Sequence, residues 1–349
     1  MNKLILIGNG FDLAHKLKTK YKDFVLWYLY SSLKTLIEKF EVSDKLLSSK
    51  INFRGNYPSD QFKSIEQFND FIKLYGIEFN YKHNFFRKLI EKTNEQNWVD
   101  IESEYYFSLL ELYRTLEKGN IDRHHRVDKD VVLLNECFNA IKEKLIEYLI
   151  TIENSETEIN TTIANHFREE FSNQKTNDLG KVLFLNFNYT STVENYFNLI
   201  NPSNPIINYI HGKLNDQNNP IIFGYGDEMD SYYSKIERLN SNEFLRNFKS
   251  FGYFKTDNYQ NLSRFLDSER FRVYIMGHSC GISDRVLLNN IFEHKNCSWI
   301  KIYYHKKTQT ENDFFEKTQE ISRQFKPDSK GKMRNIIAPF TESIPLVDE

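Results

Sequence analysis

Only three cysteines occur in 349 residues, widely spaced and in no CxxC pair. Cys137, Cys280 and Cys297 thus argue against a disulfide framework or a thiolate-held zinc and point to a reducing compartment, by default the cytoplasm. No charge sign dominates either: 46 Lys plus Arg face 48 Asp plus Glu. Without a global field, nothing draws the whole chain onto nucleic acid or an anionic membrane. No apolar run approaches the roughly 20 residues that cross a bilayer, and the opening LILIG is too short for a secretory signal. What the chain does have is 40% hydrophobic and 15% aromatic residues, enough to fill the core of one large domain or two ordinary ones.

Lys3 to Ile7 is a short apolar run stopped by Gly8, the pattern of a strand buried on both faces in a parallel sheet. Beyond the turn, Leu13, Leu17, Tyr21, Phe24, Val25, Tyr28 and Leu29 recur at helical spacing. From about residue 31 to 178, stretches such as FNDFIKLYGIEFNYKHNFFRKLIEK and DVVLLNECFNAIKEKLIEYLITIENSE predict a mostly helical region, with breaks at 52–60 and 118–130. Strand texture returns at 181–190, 205–212, 220–226, 272–279 and 299–305. Between these lie helix candidates Thr192 to Leu199, Tyr233 to Phe251, Asn258 to Ser268, Asp284 to Glu293 and Glu311 to Phe325. Alternating strands and helices imply parallel pairing with right-handed crossovers. The expected architecture is one doubly wound α/β sheet, formed by residues 1–30 and 179–349, with a large helical insertion at 31–178 after the first βα unit. The segment after Phe325 reads as a last strand or as a surface arm.

Ligands of open parallel sheets sit beyond the carboxyl ends of the strands, and this chain offers four such ends. The first is Gly8-Asn9-Gly10-Phe11-Asp12. A GxG between strand and helix lets main-chain N–H groups approach a phosphate. Here, though, Leu13 replaces the third glycine of the dinucleotide fingerprint and no Walker lysine follows. The plain alternative is a tight turn with Asp12 capping the helix. Asn186 and Asn188 alternate at the second strand end, which turns both carboxamides to one side, toward a ribose hydroxyl, an amide or a water, unless they only terminate the strand. His211, before Gly212, is the candidate base, because imidazole titrates near neutrality. Gly277, His278 and Ser279 form a second backbone cradle, with Ser283 and Asp284 opening the next helix.

Two motifs compete with this reading. GHSCG (277–281) has the spacing of a hydrolase nucleophile elbow, but only His294 and His305 follow Ser279, so the required downstream acid and histidine are barely available. Lys301, Lys306 and Lys307 with Tyr303 and Tyr304 could form a nuclease surface. That stretch lacks a carboxylate metal pair, and edge lysines ordinarily keep strands from aggregating. No metal is expected: His124 and His125 are adjacent rather than four apart, and no HExxH occurs.

LILIGNGFDLAHKLKTKYKDF, NWVDIESEY, FLNFNYTSTVEN, YIHGKLND, IIFGYG and YIMGHSCGISD resemble, in order, the blocks of the AbiH family of bacterial abortive-infection proteins. That family is in turn similar to the SIR2-like, Rossmann-like fold, whose members bind NAD and cleave its nicotinamide–ribose bond. The resemblance implies that Gly8, Asn9 and Gly10 wrap NAD, that Asn188 corresponds to the asparagine of the N-I-D block, and that His211 corresponds to the catalytic histidine. It also implies that Gly277 to Ser279 touch adenosine. Thr190 stands in place of that block's aspartate, and the zinc cysteines of deacetylating sirtuins are absent.

The expected activity is therefore an antiphage effector that hydrolyses NAD, with His211 and Asn188 catalytic and Phe11, Asp12, Asn186 and Asp284 completing the cofactor site. Trp98 and Glu102, four residues apart on one helix face, either close over the pocket as a lid, read the trigger, or serve as buried anchor and cap. Expected partners are a small-molecule nucleotide, a phage-derived trigger and further copies of the chain, with neither membrane nor nucleic acid. The rival is a nucleotide-binding sensor that switches partner contacts without turnover.

Overall fold

The computed structural model describes residues 1–52, 62–95, 100–118, 121–154, 157–171, 180–199 and 205–348. Among them the chain forms two compact units: 1–17 with 149–233 and 248–349, and 18–148 with 234–247.

The first unit is built on β1 (Asn2–Ile7), β5 (Val182–Asn186), β6 (Ile206–Tyr209), β7 (Phe271–Met276), β8 (Cys297–Tyr304) and β9 (Ile344–Pro345), while β2 (Glu41–Ser43), β3 (Leu47–Lys50) and β4 (Asn80–Tyr81) belong to the second. The six-stranded sheet runs β6-β5-β1-β7-β8-β9, and every ladder in it is parallel. Counted along the chain within the sheet, that order is third, second, first, fourth, fifth, sixth. This is the doubly wound arrangement, whose switch point falls between β1 and β7. The tail thus supplies a strand, β9, against β8.

Strand alternation sorts the apolar residues onto two faces. Leu4, Leu6, Val273, Ile275, Ile300 and Ile302 pack with Leu262, Leu288 and Ile321 from the helices Asn258–Ser268, Arg285–Phe292 and Phe314–Gln324. Ile5, Ile7, Phe184, Tyr274 and Met276 face the other way, against Phe167 of the helix Thr161–Phe171 and Tyr196 of the 3-10 helix Thr192–Leu199. The helix Thr161–Phe171 therefore belongs to the sheet, so the first unit resumes at residue 149 rather than at 179.

Three other expectations are corrected. The first helix is not continuous to residue 29: it ends at Ala14, Lys16 takes a left-handed φ of 62°, and a separate helix, Tyr21–Lys39, belongs to the second unit. Residues 220–226 join no strand of the sheet. After Gly212 (φ +91°) the chain doubles back, and the Ile222 N–H donates to the His211 carbonyl at 2.8 Å, so this buried run packs as a loop. The span 233–251 breaks into the short helices Tyr233–Glu237, Asn242–Leu245 and Lys249–Gly252, with Asn240 at φ 53° interrupting it.

In the second unit the long helices Tyr21–Lys39 and Ile101–Glu117 meet the helix that begins at Ile121. That helix starts inside the expected 118–130 break, while the other expected break, 52–60, lies outside the described residues apart from Asn52. Asn135, fully buried, accepts from Tyr105 Oη at 2.6 Å and donates to the Glu243 carboxylate at 2.8 Å, which ties the 234–247 excursion into this unit. Among the described residues no helix is long and apolar enough to cross a membrane.

Removing the Asn135 carboxamide takes the acceptor from the buried Tyr105 hydroxyl, at about 1–3 kcal/mol, while the more exposed Glu243 carboxylate keeps Arg246. Asn135→Ala should lose about 1–3 kcal/mol in urea denaturation and expose 234–247 to limited proteolysis. An unchanged cleavage pattern would refute this account of the excursion.

Candidate functional site

The loops after β1 and β7 are locked together at the switch point. The Gly8 N–H donates to the Met276 carbonyl at 3.2 Å and the Gly10 N–H to the Gly277 carbonyl at 2.8 Å. A Cβ on Gly8 would lie 2.5 Å from the His278 Cα, one on Gly10 2.8 Å from the Gly277 oxygen, and one on Gly277 (φ +77°) would overlap the Phe11 nitrogen. These glycines are needed because two main chains touch, a requirement separate from any ligand. The Phe11 N–H in turn donates to the Gly8 carbonyl at 2.8 Å. The N–H groups of Gly8, Gly10 and Phe11 are thus engaged within the protein, and the expected phosphate cradle cannot draw on them as they stand. Asn9 is half-buried in the first turn of the helix Asn9–Ala14.

Several expected ligand contacts have other work. Phe11 is fully buried, its ring edge-on to Phe167 and Tyr196 at 6.3 and 5.7 Å between centroids, so it is a core residue. Asn186 closes its own turn, donating to the Thr190 carbonyl at 3.0 Å and accepting the Asn188 N–H at 3.1 Å. Asn188 bridges two strand ends by donating to the Gly8 carbonyl at 3.0 Å. Asp12 caps nothing: it accepts from Thr190 Oγ1 at 2.7 Å, and its Oδ1 is buried without a hydrogen-bond partner. Burial, with the nearby Glu153 charge, outweighs the hydroxyl donors Thr190 and Thr192 and raises the Asp12 carboxyl from 3.8 to about 6.

Beyond these loops the four strand ends do meet, around Phe187. Its ring lies 5.2 Å from the His211 ring and 4.0 Å from that of His278, centroid to centroid. Both imidazoles turn Nε2 toward Asp284, His211 at 3.3 Å from Oδ1 and His278 at 3.6 Å from Oδ2. Lys249 Nζ reaches the same Oδ1 at 2.7 Å. Tyr253 stacks almost parallel on His211, with its Oη 3.3 Å from Nε2. All six side chains are buried.

Desolvation dominates the electrostatics. Burial, reinforced by the Lys249 charge, lowers the His211 pKa, and Asp284 opposes this only in part. His278 is likewise lowered, chiefly by burial. For Asp284, burial alone would raise the carboxyl, but Lys249 and the two imidazoles more than offset it and hold it well below the usual carboxylate range. The cluster is thus an ionised Asp284–Lys249 pair with a neutral imidazole on each carboxylate oxygen. Asp284 occupies the N-cap position of Arg285–Phe292, yet its side chain makes no capping bond. Among the described residues no group of His, Cys, Asp and Glu could hold a metal ion.

Lys249 and Tyr253 were not anticipated. Each sits in an aromatic-rich stretch, KSFGYF, whose only sequence signal is helical packing. The competing motifs dissolve. In GHSCG the left-handed residue other than glycine is Cys280 (φ 56°), a core thiol raised to about 12 by burial, while Ser279 is exposed and His294 pairs with Asp267 at 3.4 Å. In the basic stretch Lys301 is buried against Glu170, Tyr303 is also buried, and Lys307 pairs with Glu316 at 2.6 Å. Trp98 lies outside the described residues. Glu102 is buried within the second unit, and Asp100 caps the helix Ile101–Glu117 by accepting from the Glu102 and Ser103 N–H groups.

A cavity of about 410 Å³ opens beside the end of β5, lined by Leu17, Glu153, Glu158, Ser191, Thr192 and Asn195 among others. Its size suits a small-molecule site. His211 is not part of its lining.

A doubly wound, parallel six-stranded sheet flanked by helices makes this a mixed α/β protein whose fold is compatible with the Rossmann-like class. The family model "Bacteriophage abortive infection AbiH" matches residues 4–306, and the chain belongs to this family of phage abortive-infection proteins. No curated protein matches it.

Two outcomes follow from the loop geometry. Gly277→Ala should cost at least about 3 kcal/mol, or prevent folding, whereas Gly331→Ala, with nothing within 4 Å, should be neutral or up to about 1 kcal/mol stabilising; thermal melts of the two separate strain from composition. For Asp12, a folded pKa near 6 above the ordinary 3.8 favours the native state in acid. That stability, about 3 kcal/mol at about 1.4 kcal/mol per pH unit, is full below pH 3.8 and lost as pH rises through 6. Asp12→Asn should therefore remove roughly half that amount from the difference between urea-unfolding free energies at pH 5 and pH 8; an unaltered difference would contradict the assignment.

Proposed function

We propose that this abortive-infection protein hydrolyses the nicotinamide–ribose bond of NAD, with His211 as the base. The observation that carries the reading is the His211–Asp284 contact at 3.3 Å, an imidazole oriented by a carboxylate at the strand edge where doubly wound sheets take nucleotides. In the proposed step, water adds to the anomeric carbon of the ribose, the C–N bond electrons leave with nicotinamide, and His211 takes the proton from water. The products are ADP-ribose and nicotinamide. Because burial and Lys249 keep His211 neutral, it is in the accepting form throughout the neutral range. Asn188, spanning the ends of β1 and β5, is the proposed anchor for ribose or water.

His211 is only 4% exposed, so turnover requires an opening that bares its Nδ1 while the Lys249–Asp284 pair stays in place. The same burial favours a second reading, a sensor that holds a nucleotide without cleaving it.

Purified protein is incubated with NAD, with and without lysate from phage-infected cells, and free nicotinamide is followed by chromatography. Release should occur and fall about 10² to 10⁴-fold in His211→Ala, with the melting temperature nearly unchanged. Binding without release under both conditions overturns the hydrolase in favour of the sensor, and undiminished release in the variant removes His211 from the chemistry.

A further inference from the structure

We propose that His211 is held in a single tautomer, with hydrogen on Nε2 facing Asp284 and Nδ1 as the proton-accepting nitrogen, and that Lys249 and His278 are positioning residues that hold Asp284 for this purpose. The inference rests on the preceding reading only for the identity of the reaction, since the tautomer exists whether or not NAD is the substrate.

The argument starts at His278, whose hydrogen position is dictated by the main chain. Cys280 takes a left-handed φ of 56°, and its N–H donates to His278 Nδ1 at 2.9 Å. Nδ1 is therefore an acceptor, and in the neutral ring the hydrogen lies on Nε2, pointing to Asp284 Oδ2 at 3.6 Å. Lys249 Nζ, at 2.7 Å from Oδ1, keeps the carboxylate ionised. An ionised carboxylate only accepts, so the His211 nitrogen that faces it, Nε2 at 3.3 Å, must donate. Tyr253 Oη, 3.3 Å from the same nitrogen, accepts alongside. Among the described residues Nδ1 of His211 has no hydrogen-bond partner, which leaves its lone pair for a substrate proton. His278 thereby changes role, from the expected adenosine contact to the second support of Asp284.

The charged and titratable groups around the ring come from every element that packs on it. Asp284 lies at the start of Arg285–Phe292, Lys249 and Tyr253 on the short helices beyond residue 248, and His278 after β7. Lys317 of Phe314–Gln324 donates to the His278 carbonyl at 2.8 Å. Lys249 and Asp284 act on His211 with opposite signs. Removing the lysine should strengthen proton binding by His211, and neutralising the aspartate should weaken it.

The test is nitrogen-15 NMR of the full-length protein labelled at histidine, with the His211 signals assigned by their loss in His211→Gln. In the wild type the neutral His211 ring should show an attached proton on Nε2 and an unprotonated Nδ1. Lys249→Met should raise its proton affinity roughly tenfold, and Asp284→Asn should lower it and admit the Nδ1–H form. Where nicotinamide release is measurable, the acid limb of its pH profile should move up in Lys249→Met, a shift that loss of packing alone would not produce. If Lys249→Met does not fold, Lys249→Arg should keep both tautomer and midpoint, and the wild-type spectrum still decides. An Nδ1–H tautomer in the wild type, or an unmoved midpoint in both folded variants, overturns the proposal. Absence of nicotinamide release with the expected tautomer overturns only the reaction.

Discussion

One carboxylate organises the carboxyl edge of the parallel sheet. Asp284 receives Lys249 on one oxygen, along with His211, and His278 on the other, so a single buried anion joins two strand ends, a short helix and the start of another. Burying an ion pair is expensive, and an apolar replacement is often as stable. The pair nevertheless has its charges nearly matched and its donors directed. Breaking it by deleting one partner would leave the other charge stranded in the sheet's upper edge, a far larger penalty than the net worth of the contact. What it secures is direction: each side chain in the cluster has one place to point.

The second constraint is steric. Gly8, Gly10 and Gly277 let the loops after β1 and β7 approach until their main chains bond directly. In many doubly wound proteins the corresponding glycines admit a pyrophosphate. Here the switch point between β1 and β7 is closed by the protein's own backbone. The polar side chains accordingly gather to its two sides, around Asp284 on one and around Asp12 and Glu153 on the other. A ligand at this edge would meet side chains before it met the glycine loop.

How much of this could be read in advance depended on how local the cause was. β1, β5, β7 and β8 were legible because a strand buried on both faces must be a short apolar run, and His211 because it stands at such a run's end. The 220–226 segment deceived for the same reason: burial wrote its apolar composition, but a doubling back at Gly212 decided its conformation. Asp284 looks like a cap because helix starts favour aspartate, and its position is indeed N-terminal, while its side chain answers to Lys249 some 35 residues earlier. Nothing in KSFGYF marks its lysine as internal; that follows only from which strands become neighbours. Phe11 and Asn186 show the converse, residues beside a site whose side chains serve the scaffold.

The sheet is discontinuous in the chain, and synthesis must cope with that. β1 emerges first, yet its neighbours are Val182–Asn186 and Phe271–Met276. At ribosomal speeds of about 5–20 residues per second it waits on the order of ten to fifty seconds for its second partner, an apolar segment with both edges open. Chaperone shielding of β1 is the natural demand of such an order. Because His211, Lys249, His278 and Asp284 all follow the helical detour, a polypeptide terminated before Asp284 contains no assembled cluster.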